Sequence, residues 1–385
     1  VNSTHSRLAG LPRIAIVGSG PSGCYTAQFL RKKWPDAEIV IYDRLETPFG
    51  LIRYGVAPDH LGTKAIAKQF ERLFTRDGVT FAGGVEVGTD LAVDELRRQF
   101  DVVVLATGLW GDRTIDGFHD AQGRPSLPGV YGSGRLTRMI NAHPSRDSSD
   151  VRIGRRTVIV GAGNVAIDLV RLLLTSSSQL VEVGVPGDVI RALTDGPVER
   201  VDVVSRSVAG RAKFDVAMIR ELAKVPDVRF RSDADAFPVK DAEESVRAQA
   251  VAELVAGSPR GAARQVSFWF GWTPAHLDGA GRVERAVFRD TADVRGTLTL
   301  EADSVCTAVG FTQAADDALL RRAFEGERTD LDHGRLADGV YCVGWLRRGP
   351  VGTIPANRAD ARLVADAIIA DYEFASRPAI PSSLP

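Results

Sequence analysis

The chain has 385 residues, 44% hydrophobic and 25% charged, enough to bury the cores of two domains without covalent staples. Lysine and arginine total 48 against 49 acidic residues, so no global field draws the protein to nucleic acid or a membrane surface, and any charged partner must be recognised locally. Three widely separated cysteines, Cys24, Cys306 and Cys342, show no C-x-x-C and no metal-ligand spacing, which argues against a redox disulfide, a metal site or an iron-sulfur cluster and reads them as buried core thiols.

The first dozen residues, VNSTHSRLAGLP, are polar and lack a hydrophobic h-region, and no run of 18 apolar residues follows, so a cytoplasmic location is expected. RIAIVGSGPSG, residues 13–23, is a β-branched run, a glycine turn and the start of a helix. Gly18, Gly20 and Gly23 form G-x-G-x-x-G, and the next strand, AEIVIYD, ends in Asp43, 20 residues beyond the third glycine. The first glycine permits the tight turn, the second lets backbone approach a pyrophosphate, and the third allows close helix packing; the acid is placed to accept from a ribose. The glycines leave open whether FAD or a nicotinamide nucleotide lies there. HLGTKAIAKQFERLF, from His60, sets Ile66, Phe70, Leu73 and Phe74 on one helical face. FDVVVLATG, residues 100–108, is a continuous apolar run of the kind a central parallel strand shows. Irregular stretches at 110–135, 144–149, 175–197 and 255–263 are expected loops, the first at a domain crossing.

TVIVGAGNVAID, residues 157–168, repeats the opening pattern with Gly161, Gly163 and Ala166 as G-x-G-x-x-A. The strand that follows, RVDVVSRS, ends in Ser205, Arg206 and Ser207 with no acid at its tip. An acid there would repel a 2′-phosphate, whereas Arg206, helped by the serine hydroxyls and Arg211, suits one and favours NADP over NAD. Two fingerprints imply two dinucleotides, most economically FAD as the resident cofactor and NADPH as the exchangeable one. ADSVCTAVGF, residues 302–311, closes the second unit, and GVYCVGW, residues 339–345, adds a further buried strand. The last helix, from Asn357 to about Asp371, is expected to bury Leu363, Val364, Ala367 and Ile368 on one face. The expected class is α/β with two Rossmann-like dinucleotide-binding domains. An FAD domain in two parts, 13–109 and 333–385, receives an inserted NADP domain at 110–332.

Three segments, TPFGLIRYGVAPDH at 47–60, GAGNVAID at 161–168 and GWLRRGPVGTI at 344–354, together resemble the adrenodoxin reductase family, the ferredoxin-NADP reductases of mitochondria and actinobacteria. They stand in family order, and the similarity runs from Arg13 to Tyr372. The resemblance implies a reaction in which hydride passes from NADPH to FAD and single electrons pass on to a small, acidic iron-sulfur ferredoxin, often serving a cytochrome P450. No long amphipathic or exposed apolar segment speaks for a dimer, so a monomer is expected. By the same resemblance Trp345, after Gly344, packs at the flavin, and the backbone of Gly352, Thr353 and Ile354 bonds its pyrimidine edge. Gly50, Leu51 and Val56 line the flavin, Val87 lies near the adenine end, and Pro21 and Gly108 complete that site. Asn164 and Val165 touch the NADP pyrophosphate, and His60 pairs with Glu221 beside the flavin to set the field or relay a proton.

Two positions depart from the family pattern. Ser207 stands where the family carries a second arginine, and Met218 stands where it carries an acid three residues before Glu221. Arg347 and Arg348 read as solubilising residues, while Arg31, Lys33 and Arg211 are among the candidates for a basic rim facing an acidic ferredoxin. The alternative readings are a flavin oxidoreductase that reduces a quinone or small molecule with NAD(P)H, and a non-catalytic redox sensor.

Overall fold

The computed structural model describes residues 10–194, 198–233, 241–313 and 330–375. The chain opens with β1 (Arg13–Val17), β2 (Glu38–Asp43), β3 (Thr80–Gly83) and β4 (Val102–Leu105), then passes through β5 (Gly111–Asp112). There follow β6 (Val130–Gly132), β7 (Arg156–Val160), β8 (Arg200–Ser205), β9 (Val228–Ser232) and β10 (Arg264–Phe270). Next come β11 (Trp272–Asp278), β12 (Arg285–Asp290), β13 (Thr297–Glu301) and β14 (Ser304–Thr307), and the chain returns through β15 (Phe311–Thr312), β16 (Arg335–Ala337) and β17 (Val340–Cys342). One six-stranded sheet has the order β16-β17-β4-β1-β2-β3, a second has β6-β14-β7-β8-β10-β9, and β11-β12-β13 form a smaller antiparallel sheet. In both large sheets the pairings are parallel, apart from β16 with β17.

Two compact units result. Among the described residues the first takes 10–56, 60–111, 311–313 and 330–375, and the second takes 57–59 together with the described part of 112–310. In the first unit Ile14, Ile16, Val102 and Val104 face one core while Ala15, Val17, Val103 and Leu105 face another. Burial on both faces is why these strands read as unbroken apolar runs rather than alternating ones. In the second unit Ile159, Val201, Val203 and Phe268 face a helical layer, and Val158, Val160, Val204 and Val305 face the antiparallel sheet through Trp272, Phe288 and Leu300.

Three local expectations change. The stretch 110–135, expected to be loop, carries β5, β6 and the start of a helix at Ser133–Ile140 that buries Leu136, Met139 and Ile140. The stretch 175–197, expected to be loop, carries helices at Ser177–Glu182 and Gly187–Leu193; Ser176 and Gln179 form a capping box, and Leu180, Val189 and Leu193 are buried. The C-terminal helix, Ile354–Ala375, buries Ala361, Val364, Ala365 and Ile368 while Leu363 is 40% exposed, because the inward stripe follows the three-four-three spacing from Ala361. The helix expected after His60 forms as Leu61–Lys64 and Ile66–Thr75, with Phe70 and Leu73 buried. All three cysteines are buried, and burial pushes the Cys306 and Cys342 thiols up to about 12. Among the described residues no helix is long and apolar enough to cross a membrane.

Candidate functional site: two nucleotide cradles

The first cradle lies at the carboxyl end of β1, where the strand order turns from β2 on one side to β4 on the other. Gly18 has φ +109°, and a Cβ there would stand 2.5 Å from the Ala106 carbonyl oxygen, so no other residue fits. A Cβ on Gly23 would stand 2.0 Å from the Gly18 oxygen, so the helix Pro21–Lys33 can press onto the turn only with glycine at this position. Gly20 differs from both: a Cβ there meets nothing within 4 Å and would project into open space at the helix N-terminus, with Pro21 at the start of the helix. Asp43 accepts from the Ser19 amide at 2.9 Å, the Ser19 hydroxyl at 2.5 Å and the Leu45 amide at 2.9 Å. The acid therefore braces the turn, and its two oxygens retain lone pairs for a ribose hydroxyl.

The TPFG segment is bound to the same turn. The Phe49 amide donates to the Ser19 hydroxyl at 3.1 Å, and a Cβ on Gly50 would lie 3.1 Å from the Gly20 Cα. Phe49 is buried with φ +91°, a conformation that costs a non-glycine residue about 1–3 kcal/mol and persists because its ring is locked among Phe70 and Phe74. Leu51 and Val56 follow on one tight helical turn, joined by a 2.7 Å bond from the Val56 amide to the Leu51 carbonyl. Val87 is buried in the outer core of this unit, and Gly108, φ +70°, turns the chain after β4.

The C-terminal segment closes onto this cradle through a buried charge cluster that the sequence reading missed. Gly344 has φ +76°, and a Cβ there would run into the Ser22 hydroxyl at 2.2 Å. Its amide donates to Asp360 Oδ2 at 2.5 Å. On the other oxygen, Asp360 accepts from Arg347 Nε at 2.8 Å and pairs with Arg348 Nε at 3.1 Å. Arg348 also donates to the Val351 carbonyl at 2.9 Å and to Asn357 Oδ1 at 2.8 Å, stitching the turn Gly349–Gly352 to the start of the last helix. Arg347 and Arg348 are thus not solubilising residues; they hold the backbone that presents Gly352, Thr353 and Ile354. The signal available in the sequence was Asp360, an acid on a helix flank otherwise lined with small apolar residues. Trp345 stacks on Phe311 at 5.6 Å between ring centroids.

The second unit repeats the design. Gly161 has φ +120°, with the Ala308 oxygen 2.2 Å from any Cβ, Ala166 is fully buried under the turn, and Gly163 opens onto space with nothing within 4 Å. Asn164, at the start of its helix, donates to Asp215 at 2.6 Å and accepts from the Asp215 amide at 2.7 Å; Val165 is half-buried beside it. At the tip of β8, Ser205 is buried and its hydroxyl accepts from the Ser207 amide at 3.1 Å. Arg206 is exposed and makes no hydrogen bond or ion pair among the described residues. Arg211, expected to assist it, bonds instead to the buried Glu244 at 2.5 Å.

Residues 57–59 of the TPFGLIRYGVAPDH segment belong to the second unit, where Ala57 joins the core and Asp59 pairs with Arg171. Arg171, 8% exposed, also holds Asp168 at 2.5 Å; burial pulls its pKa down, and the nearby charge of Glu221 opposes that shift. His60 and Glu221 fall in different units. Within the second unit, Glu221, Arg171 and Asp59 form one electrostatic group ending at the residue before His60. Arg171 was not singled out from sequence because, apart from Asp168, its partners Asp59 and Glu221 lie far along the chain.

A family model described as pyridine nucleotide-disulphide oxidoreductase matches residues 12–195. The cindoxin reductase of Citrobacter braakii is 47% identical over 369 residues, covering 94% of this chain and 78% of that protein. The mitochondrial NADPH:adrenodoxin oxidoreductase of Arabidopsis thaliana is 30% identical, covering 94% and 82%. The chain belongs to the adrenodoxin reductase family. The solved structure of Mycobacterium tuberculosis FprA in complex with NADPH superposes with a TM-score of 0.80 at 30% identity, covering 96% of this chain and 87% of that one. Thioredoxin reductase of Lactococcus lactis, at 14% identity and a TM-score of 0.54, shares the fold alone.

As a member of the adrenodoxin reductase family, the protein is an FAD-dependent oxidoreductase that uses NADP(H). Its residues fit these groups. Besides the open positions at Gly20 and Gly163, the buried donors with no hydrogen-bond partner among the described residues include Trp345 Nε1 and Thr107 Oγ1 in the first unit and Thr307 Oγ1 in the second. Thr107 and Thr307 adjoin Ala106 and Ala308, the residues whose carbonyls cover Gly18 and Gly161. Unsatisfied buried donors are costly, and a bound ligand is a natural acceptor for them.

Two basic-rim candidates on the first unit are committed elsewhere. Arg31 donates to the carbonyls of Pro35, Ala37 and Gly78, and Lys33 pairs with Glu373 at 2.5 Å.

Proposed function

We propose that this protein is a cytoplasmic, monomeric NADPH–ferredoxin reductase in which the first cradle holds FAD, the second holds NADPH, and the electrons leave to a small acidic iron-sulfur protein. The observation that carries this reading is the pair of cradles of one build, each with a glycine that opens onto space at a helix N-terminus. Bound FAD supplies the conversion of a two-electron hydride into successive one-electron transfers. The residues of the chain do the rest. Gly18, Gly20, Pro21, Gly23 and Asp43 receive the FAD pyrophosphate and ribose. Gly50, Leu51 and Val56 line the ring, Trp345 donates to it, and the Gly352–Ile354 backbone at the start of a 22-residue helix stabilises negative charge on its pyrimidine edge. Val87 and Gly108 bound the adenosine half.

Gly161, Gly163, Asn164 and Val165 receive the NADPH pyrophosphate, and Arg206 with Ser207 receives the 2′-phosphate. His60 and Glu221 act together at the nicotinamide side, with Arg171 and Asp59 fixing the chain next to His60; His60→Gln is expected to alter the pH dependence of flavin reduction. FAD is assigned to the first unit and NADPH to the second.

The test is anaerobic mixing of the holoenzyme with NADPH or NADH while following the flavin absorption band, then addition of an acidic ferredoxin or a quinone. Fast bleaching by NADPH, slower bleaching by NADH and reoxidation by ferredoxin that slows with salt support the proposal. A flavin that neither coenzyme bleaches favours the sensor, and reoxidation by quinone alone favours the small-molecule reductase.

A further inference from the structure

We propose that Arg44 and Trp110 form a clasp over the adenosine half of FAD and set how slowly the cofactor leaves. The proposal rests on the assignment of FAD to the first cradle. Arg44 is the residue after β2, and Trp110 follows β4 by five positions. β2 and β4 are not neighbours; β1 lies between them. Yet the Arg44 guanidinium stands over the Trp110 ring at 4.8 Å from its centroid. The two side chains meet only by spanning the carboxyl end of β1, where Gly18, Ser19 and Gly20 make the turn. A strap there crosses the crevice in which a dinucleotide lies in this kind of sheet.

Three features fix which half is covered. Arg44 directly follows Asp43, the acid assigned to the adenosine ribose. Trp110 is anchored by its indole N–H, which donates to the Thr107 carbonyl at 2.8 Å, two residues beyond Gly108. The turn at Gly344, assigned to the flavin, meets the cradle elsewhere, at Ser22. Arg44 is exposed and Trp110 half-buried, so the pair is an outer closure rather than core. A guanidinium on an indole face is held by cation–π attraction and offers a cation to the nearby pyrophosphate.

The experiment compares FAD release from wild-type holoenzyme with Arg44→Gln, Trp110→Ala, Trp110→Phe and the Arg44→Gln/Trp110→Ala double variant, read as the rise of free-flavin fluorescence after dilution. The same protein loaded with FMN, which lacks the adenosine half, serves as reference. Arg44→Gln and Trp110→Ala are each expected to speed FAD release about three- to tenfold, the double variant no more than the larger single, and Trp110→Phe less, with FMN release and melting temperature unchanged. FAD release unchanged in both Arg44→Gln and Trp110→Ala overturns the clasp while leaving the FAD assignment standing. So does equal acceleration of FMN release, which indicates general loosening. Failure of the wild-type protein to hold FAD overturns the assignment and the clasp together.

Discussion

Asp360→Asn is the sharpest test of how the C-terminal segment is held. The Asp360 side chain is 1% exposed and neutralises Arg347 and Arg348, themselves 14% and 21% exposed, while accepting the Gly344 amide. Asparagine keeps the shape and one acceptor oxygen but removes the charge and turns an N–H₂ toward the guanidiniums. Removing one partner of a buried ion pair costs about 3–5 kcal/mol, because the remaining charge stays desolvated. The upper part of that range applies here, since two cations lose one anion. Arg347→Met should cost less, about 1–3 kcal/mol, because Asp360 keeps Arg348 and the backbone N–H. The double variant should cost less than the sum, since the second change removes a charge the first has stranded. The assay is denaturant unfolding followed in parallel by far-UV circular dichroism and by release of flavin fluorescence. The flavin probe should shift more than the circular dichroism probe, because the cluster sits behind the turn assigned to the ring. Asp360→Asn within about 0.5 kcal/mol of wild type, with FAD retained, would mean that the Asp360 cluster does not hold this segment.

The glycines of each cradle separate folding from binding. Gly18→Ala and Gly161→Ala force a Cβ into a carbonyl at positive φ and should cost well over about 1 kcal/mol in thermal or denaturant melts, whereas Gly20→Ala and Gly163→Ala should fold normally and lose affinity for FAD and NADPH respectively, read by flavin content and by KM. Arg206→Ala should lower kcat/KM for NADPH by about tenfold or more, the worth of a charge-assisted hydrogen bond, and leave NADH unaffected in the same steady-state assay. Lys64 donates to the Ile52 and Arg53 carbonyls at 3.3 and 2.8 Å beneath the segment assigned to the flavin wall, and burial pulls its pKa down to about 8. The unfolded chain then holds a proton that the folded one has lost between pH 8 and about 10.4, so this group adds stability as pH rises through that window and withholds it below pH 8. The melting temperature of Lys64→Met relative to wild type should accordingly be more favourable at pH 7 than at pH 10.

The two cradles were legible because their requirements are local. A turn that needs positive φ, a helix that needs a small residue against its strand, and a phosphate that needs open space over a backbone N–H each demand a particular residue at a fixed spacing within a dozen positions. Gly18, Gly20 and Gly23, and their counterparts Gly161, Gly163 and Ala166, carry that demand on their face. The buried strands were legible for the same reason, since both faces of a parallel sheet are covered and the apolar run is unbroken. The helices at Ser177–Glu182 and Gly187–Leu193 were also local, and the S-x-x-Q cap at Ser176 was the signal passed over.

The roles of the charged residues depended on the tertiary structure. Arg347 and Arg348 look like surface cations in the string, as do Arg31 and Arg211, yet the first two share a buried carboxylate, Arg31 caps carbonyls and Arg211 meets Glu244. Arg171 meets Asp59 only because residues 57–59 leave the first unit for the second. Arg44 reaches Trp110 only because β1 was laid between β2 and β4. An ion pair or a stack is a statement about two side chains brought within a few ångströms, and strand order, not spacing along the chain, decides which two those are.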